Sequence, residues 1–142
     1  MLALAAAALV LAIAVPAGPC SLVTTSDVRH VLHWTVRTSR DSNYHLPQTS
    51  GALCTYDAEE GMLQVTMPNS GSSFFNNNDL VDPFKNGMGS RISGVADAVQ
   101  FDNAAYVTKH GRSVSVAVLP NSGSVDAQTL AAFARIVARR LP

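Results

Sequence analysis

Few residues in this chain have side chains suited to chemistry, and the two cysteines are the first to consider. Cys20 and Cys54 are the only thiols among 142 residues. In an exported protein such a pair is expected to oxidise to a disulfide, which here would tie the start of a helix to a strand. Two alternatives remain open, namely free or metal-binding thiols in a reducing compartment and attachment of a lipid to Cys20.

The other titratable side chains do not form a known catalytic motif. His30 and His33 are three residues apart and close to Asp27, but the sequence places no third metal ligand beside them. Glu59 and Glu60 fall at a predicted hairpin tip, where we expect them to be solvated. No serine lies in a Gly-x-Ser-x-Gly motif. The sequence therefore predicts no catalytic residues, no metal site and no cofactor.

Three phenylalanines form the candidate binding surface. Phe74, Phe75 and Phe84 lie in the segment 70–90, which is rich in Gly, Asn and Ser. Aromatic side chains in such a polar loop predict a partly exposed apolar surface, and loops commonly carry function. The alternative, that all three belong to the core, stays open.

The charge balance and the length exclude some classes of protein. Lys plus Arg and Asp plus Glu number ten each, so the chain carries no formal net charge. Nucleic-acid binding and attachment to an anionic membrane both favour a basic surface, and we expect neither here. A chain of 142 residues is expected to fold as one domain.

The first seventeen residues differ from the rest of the chain. All but one of them are apolar and none is charged. This run is shorter than the roughly 20 residues of a membrane span, and small residues follow it. We therefore predict a signal peptide over 1–17, cleaved after Ala17, and a single extracytoplasmic domain over 18–142 without a transmembrane span. A retained anchor and a truncated leader remain alternatives.

Two β-hairpins organise the predicted domain. Alternation of apolar and polar residues predicts strands within 52–67 and 104–119, with turns at Ala58–Gly61 and at His110–Gly111. Each hairpin is followed by the same five-residue sequence, Pro-Asn-Ser-Gly-Ser, and then by a candidate helix. This repetition suggests an internal duplication of a hairpin–helix unit.

Helices and weaker strands complete the predicted architecture. Thr24 and Asp27 have the spacing of a capping box that begins a short helix. Ser124 is predicted to cap a C-terminal helix over 125–141 with an apolar stripe. The polar stretch 36–47 is expected to be irregular, apart from an edge strand near 35–39. The fold class is α+β, mainly an antiparallel sheet built from two hairpins with helices packed on it.

Three short motifs resemble a family of small exported proteins and lipoproteins of mycobacteria and related actinobacteria. Residues 19–24, Pro-Cys-Ser-Leu-Val-Thr, are similar to the family's Pro-Cys-Ser-Leu-Leu-Thr opening. Residues 51–56 resemble its Gly-x-x-Cys-x-(Trp/Tyr) strand, and residues 94–98 its Gly-Val-Gly-Asp-Ala turn. The resemblance implies an extracytoplasmic location, a disulfide and a sandwich of sheet and helices. It implies no reaction, and Pro19 and Ala17 depart from the lipobox of the lipidated members.

Two hypotheses of function follow. The first is a secreted or envelope-associated module, not an enzyme, that binds a protein, a lipid or another envelope component. The second is a small secreted hydrolase with a site built from His and Asp. A cleft that pairs His with Asp or Ser would favour the hydrolase, and an apolar groove without convergent titratable groups would favour the binding module.

Overall fold

A computed structural model describes residues 18–47, 50–69, 89–95 and 97–142 of the chain. Within them, one mainly antiparallel sheet carries three helices, which confirms the predicted α+β class. The strands are β1 (Val36–His45), β2 (Ser50–Ala58), β3 (Gly61–Pro68), β4 (Ser90–Arg91), β5 (Ala98–Phe101), β6 (Ala104–Lys109) and β7 (Arg112–Pro120), and the helices are α1 (Pro19–Leu22), α2 (Thr25–Leu32) and α3 (Ala127–Arg140).

The sheet order joins the two predicted hairpins at its centre. The order is β1-β2-β3-β7-β6-β5-β4, so that β3 of the first hairpin pairs with β7 of the second. The second turn is His110–Gly111, as predicted, with both residues in the left-handed region at φ 50° and 75°. A two-residue hairpin turn with this backbone matches the twist of its strands. The first turn is narrower than predicted and consists of Glu59 and Glu60.

The edge strand predicted near 35–39 is present but extends to His45, so the expectation that the rest of 36–47 is irregular was wrong for most of that stretch. Residues Val36–His45 form the ten-residue edge strand β1, paired antiparallel with β2. Its sequence shows no apolar alternation because most of its side chains are exposed, so neither face needs an apolar stripe. The strand is paired with β2 from Val36 to His45, and Val36 joins the core.

The repeated Pro-Asn sequence lies at the end of a strand in both copies, with its proline opposite a glycine of the neighbouring strand. Pro68 pairs with Gly51, and Pro120 pairs with Gly61, each at the last residue of its strand. A β-carbon at Gly51 would lie 2.8 Å from the Cα atom of Pro68, and one at Gly61 would lie 2.8 Å from that of Pro120. Neither position has room for a side chain.

The asparagine of each copy closes the strand pair with one more hydrogen bond. The Asn69 amide donates to the Ser50 carbonyl, and the Asn121 amide to the Glu60 carbonyl, both at 2.9 Å. In each copy the residue that accepts this bond directly precedes the glycine that pairs with the proline. The repeated Pro-Asn sequence therefore ends a strand in the same way in both copies. The helix predicted after the first copy lies outside the described residues, so duplication of a whole hairpin–helix unit stays a prediction.

Capping residues fix where α2 and α3 begin. Thr24 and Asp27 form the predicted capping box of α2: the Asp27 amide donates to the Thr24 hydroxyl, and the Thr24 amide donates to the Asp27 carboxylate. The prediction for α3 was wrong by two residues. Its N-cap is Asp126, whose carboxylate accepts a 2.7 Å bond from the Thr129 amide. A carboxylate at this position also interacts favourably with the helix dipole.

The core lies between the helices and one face of the sheet. The register places Cys54, Tyr56, Leu63, Val65 and Val116 on that face, and all are at most 1 % exposed. They pack against the apolar stripe of α3, which is buried as predicted: Leu130, Phe133, Val137 and Leu141. Burial of each large apolar side chain contributes about 1.5–3 kcal/mol to folding. None of the described helices is long and apolar enough to cross a membrane.

Candidate functional site

The two cysteines form the predicted disulfide. Their Cα atoms are 5.1 Å apart, within the range that a disulfide requires. Cys54 is fully buried on the helix side of β2, and Cys20 lies in α1. Among the described residues, the one cluster of three metal-capable side chains consists of these cysteines and Asp41. Because both sulfurs are used in the disulfide, neither is a thiolate that could bind a metal ion.

Tyr56 fixes the chain on either side of Cys20. Its hydroxyl donates to the Cys20 carbonyl at 3.2 Å and to the Val23 carbonyl. The side chain is 1 % exposed. Burial, together with the nearby carboxylates of Asp27 and Asp41, raises the pKa of Tyr56 to about 12. The disulfide and this tyrosine therefore act as one structural anchor for the N-terminal segment.

Most other candidates from the sequence have structural roles or lie outside the described residues. Phe74, Phe75 and Phe84 fall in the segment 70–88, which is not described, so the predicted apolar surface stays a prediction. His33 is the C-cap of α2 in the left-handed conformation, and His30 is exposed in its last turn. The described structure gathers no set of metal ligands around these two histidines.

The hairpin-tip acids hold the loop that precedes β1. The Glu60 carboxylate accepts bonds of 2.8 and 3.1 Å from the Thr35 amide. These backbone hydrogen bonds hold the pKa of Glu60 below its usual range. Glu59 forms a 2.7 Å ion pair with Arg37. The expectation that both acids are simply solvated was therefore incomplete.

A cleft that no sequence motif predicted lies beside the C-terminal half of α3. Its volume is about 720 Å³, a size typical of small-ligand sites. One wall is α3, the second is the loop between β4 and β5, and the third is the end of the β6–β7 hairpin. The lining residues are Gly94, Val95, Asp97, Val107, Thr108, Lys109, His110, Arg135, Ala138 and Arg139.

Backbone hydrogen bonds hold the two loops of the cleft together. The Thr108 amide donates to the Asp97 carbonyl, and the Ile92 amide donates to the Ala98 carbonyl, each at 3.0 Å. Asp97 and His110 both have left-handed backbone conformations, at φ 53° and 50°. Aspartate and histidine adopt this conformation more readily than most residues do. Both Asp97 and His110 line the cleft.

The cleft is strongly cationic although the whole chain is neutral. Its described lining residues include Lys109, Arg135 and Arg139 against a single carboxylate, that of Asp97. The Lys109 ammonium donates to the Ala138 carbonyl at 2.9 Å and so caps the end of α3. Arg135 and Arg139 are exposed, and within the described part of the chain neither is paired with a carboxylate. Their charges are available to a ligand.

The spacing of these two arginines suits an anionic group. Residues four apart on a helix are neighbours on one face, about 5–6 Å between β-carbons. Guanidinium groups present several donors in a plane and bind carboxylate or phosphate oxygens in pairs. The cleft can therefore bind an anion through two side chains of one rigid helix.

The cleft also contains one histidine and one aspartate, the residue types of the predicted hydrolase site. In the structure as described, no hydrogen bond or ion pair joins His110 to Asp97. The Thr108 hydroxyl lies 3.5 Å from the Ser113 hydroxyl, so the hydroxyl nearest to His110 in sequence has a structural contact. No activated nucleophile is therefore formed among the described residues of the cleft.

Comparison with protein-family models, with curated proteins and with solved structures finds no match to this chain. The resemblance to exported actinobacterial proteins thus rests on its short motifs alone. The function has to be argued from the geometry of the cleft.

Proposed function

We propose that this chain is an exported binding module, not an enzyme, and that it holds an anionic component of the cell envelope in the cleft beside α3. The observation that carries the proposal is that Arg135 and Arg139 line a cleft in which, among the described residues, neither is paired with a carboxylate and the one acidic residue is Asp97. The apolar leader and the disulfide support an extracytoplasmic setting, because disulfides persist in oxidising compartments. The motifs shared with exported actinobacterial proteins support the same setting.

Charge reversal at the two arginines tests the proposal. The oxidised protein, expressed with its own leader, is immobilised beside R135E/R139E and a control variant, R29E/R40E. The control changes the net charge by the same amount at exposed arginines away from the cleft. Envelope extract is passed over all three. We expect the wild type and the control to retain the same anionic material and R135E/R139E to lose it.

Two results would overturn this proposal. Equal retention by all three proteins would show that the cleft is not the binding site, and retention by none would show that no such ligand exists in the extract. Thermal melting of each variant shows whether it is folded. The neutral variant R135Q/R139Q, which places no new charge near the end of α3, repeats the test if R135E/R139E is unstable.

The hydrolase is kept as a second candidate because His110 and Asp97 line the same cleft. It predicts turnover of simple ester, phosphoester or amide substrates that is lost in H110A and D97A while both variants stay folded. The binding module predicts no turnover by the wild-type protein. A steady-state assay with a panel of chromogenic substrates separates the two functions.

A further inference from the structure

Two depressions, the cleft and a smaller one, follow each other along α3, and we call them together the groove. A second depression of about 200 Å³ lies beside the N-terminal half of the helix. Arg135 lines both depressions, so they meet at this side chain. The remaining residues of the second depression are Arg91, Ile92, Ser93, Gln100, Ala127, Gln128 and Ala131.

The length of the groove follows from the helix that forms its wall. From Gln128 to Arg139 the helix rises about 16 Å, at 1.5 Å per residue. An extended peptide advances about 3.3–3.6 Å per residue, so about five residues would fill this length. A single small anion would occupy only the end near Arg139. The second depression would therefore be contacted only by an elongated ligand.

The side chains of the second depression suit a peptide backbone. Gln100, Gln128 and Ser93 each offer a hydrogen-bond donor and an acceptor, the pair of functions that a peptide unit requires. Ile92 and Ala131 supply the apolar surface between them. None of the described residues that line the two depressions is Phe, Tyr or Trp, so the described part of the groove has no stacking platform for nucleic-acid bases.

A membrane surface fits the groove less well than a peptide does. The exposed large apolar side chains of the described residues are Leu46 and Leu119, and neither lines the groove. Docking on a bilayer usually needs apolar side chains next to the cations. Recognition of an acidic peptide by arginine side chains depends instead mainly on charge and hydrogen bonding.

We propose that the groove along α3 binds an extended acidic segment of a partner protein, with carboxylates at Arg135 and Arg139 and the peptide backbone beside Gln128 and Gln100. This inference rests on the proposed function and names its ligand class. It predicts that affinity depends on both halves of the groove, whereas a small anion would depend on the two arginines alone.

The experiment uses an array of peptides of about seven residues, slightly longer than the groove, that carry zero to four Asp or Glu. The best acidic peptide is then titrated against the oxidised protein by fluorescence anisotropy, with its amide counterpart (Asn for Asp, Gln for Glu) as control. The proteins are the wild type, R135E/R139E, Q100A/Q128A and R29E/R40E. Inorganic phosphate and vesicles of phosphatidylglycerol serve as competing ligands.

We expect binding to increase with the number of acidic residues and to be absent for the amide counterpart. The R135E/R139E substitution should lower the affinity for the peptide about tenfold or more, because it replaces attraction with repulsion. Q100A/Q128A should weaken it about threefold to tenfold through lost hydrogen bonds, and R29E/R40E should leave it unchanged.

The possible failures are distinguishable. If Q100A/Q128A binds as the wild type does while R135E/R139E does not, the ligand is confined to the cleft, and the peptide inference is overturned while the proposed function stands. Binding of phosphate or vesicles in place of the acidic peptide leads to the same conclusion. If no anionic probe binds, the acidic-peptide inference fails, and retention of envelope material by the immobilised protein still decides the proposed function.

Discussion

At the scale of single residues, the covalent link between Cys20 and Cys54 should contribute a large share of the stability. The two residues are 34 positions apart, and closing a loop of that length is worth about 3–4 kcal/mol in the chain-entropy model. We expect C20A/C54A to lower the free energy of unfolding by that amount in urea titration. The wild-type protein under reducing conditions should behave like the double variant. A loss below about 1 kcal/mol would show that packing alone holds the segment.

Tyr56 should give the protein a stability limit at alkaline pH. Its pKa is raised to about 12 from an ordinary value of 10.0, so folding favours the protonated phenol. The stabilisation is complete below about pH 10 and is lost as the pH rises through the folded-state pKa near 12. In an ultraviolet absorbance titration, the difference between the wild type and Y56F should have its midpoint near 12.

The same substitution has a cost at neutral pH. Y56F removes the only side-chain donor to the Cys20 and Val23 carbonyls that the structure shows among its described residues. Leaving buried carbonyls without a partner should cost about 1–2 kcal/mol. A Tyr56 that titrates near its ordinary value, with no loss of stability in Y56F, would contradict its assignment as an anchor.

At the scale of elements, Asp27 connects α2 to the end of α3. Its carboxylate accepts bonds from the Thr24 amide and hydroxyl at 2.7 and 2.8 Å and from Arg140 at 3.1 Å. Arg140 also donates to the Leu22 carbonyl at 3.0 Å. Partial burial opposes ionisation of Asp27, but the bonds from Arg140 and Thr24 more than offset it and hold its pKa below the ordinary value of 3.8.

Substitution of Asp27 should therefore have a pH-dependent effect. We expect D27N to lose about 1–2 kcal/mol at neutral pH, mainly through the cap, because Arg140 is 39 % exposed and solvent screens its charge. A lowered pKa gives stability that is present above about pH 4 and lost as the pH falls through the folded-state value. The difference between the wild type and D27N should thus vanish in strong acid.

A second exposed ion pair provides the matched control for Asp27. Glu59 and Arg37 are 52 % and 67 % exposed, so E59Q should change the stability by less than about 0.5 kcal/mol. Equal losses of unfolding free energy in D27N and E59Q would mean that the capping box and the ion pair with Arg140 stabilise the fold no more than an exposed ion pair does. Urea titrations at several pH values measure both variants.

The elements that the sequence predicted are those with local signals. The capping box at Thr24 and the His110–Gly111 turn depend on neighbouring residues, and both are present in the structure. Strand β1 was predicted only near 35–39, and its continuation to His45 was missed, because an exposed edge strand needs no apolar period and pairs with β2 through its backbone. The cap of α3 was misplaced because Ser124 and Asp126 are both good caps, and only the backbone path after Gly123 selects Asp126.

At the scale of the whole molecule, the cleft could not be predicted from the sequence because its three walls are distant along the chain. Taken locally, Asp97 and His110 are turn residues, and Arg135 and Arg139 are cations that favour the end of a helix. Only the packing of α3 against β5 and β6 brings them to one cleft. The sequence shows Arg135, Arg139 and Arg140 as a local basic bias near the C-terminus, but the net charge of zero gives no sign of a cationic cleft. The strand order, with β7 beside β3, depends on long-range pairing in the same way.

The sheet order also predicts how stability is distributed over the molecule. Strands β3 and β7 are central, and their helix-facing residues Leu63, Val65, Val116 and Val118 are fully buried. Strand β1 is at one edge, and alternate amides along it face away from β2 without a partner strand in the described structure. In native-state hydrogen exchange, amides of β3 and β7 should exchange slowest. The outward amides of β1 should exchange faster by several orders of magnitude.

The exchange of β1 amides also tests whether this edge meets another chain. A strand of ten residues, most of them exposed, is long enough to pair edge to edge with a second strand. Measurement at two protein concentrations separates the cases, because pairing between molecules increases with concentration and pairing within one molecule does not. We expect fast exchange of the outward amides at both concentrations, since Arg37, Arg40 and Asp41 place charges along the strand and discourage self-association. Protection that grows with concentration would show that the protein associates through β1, and the edge would then be covered in the assembled form.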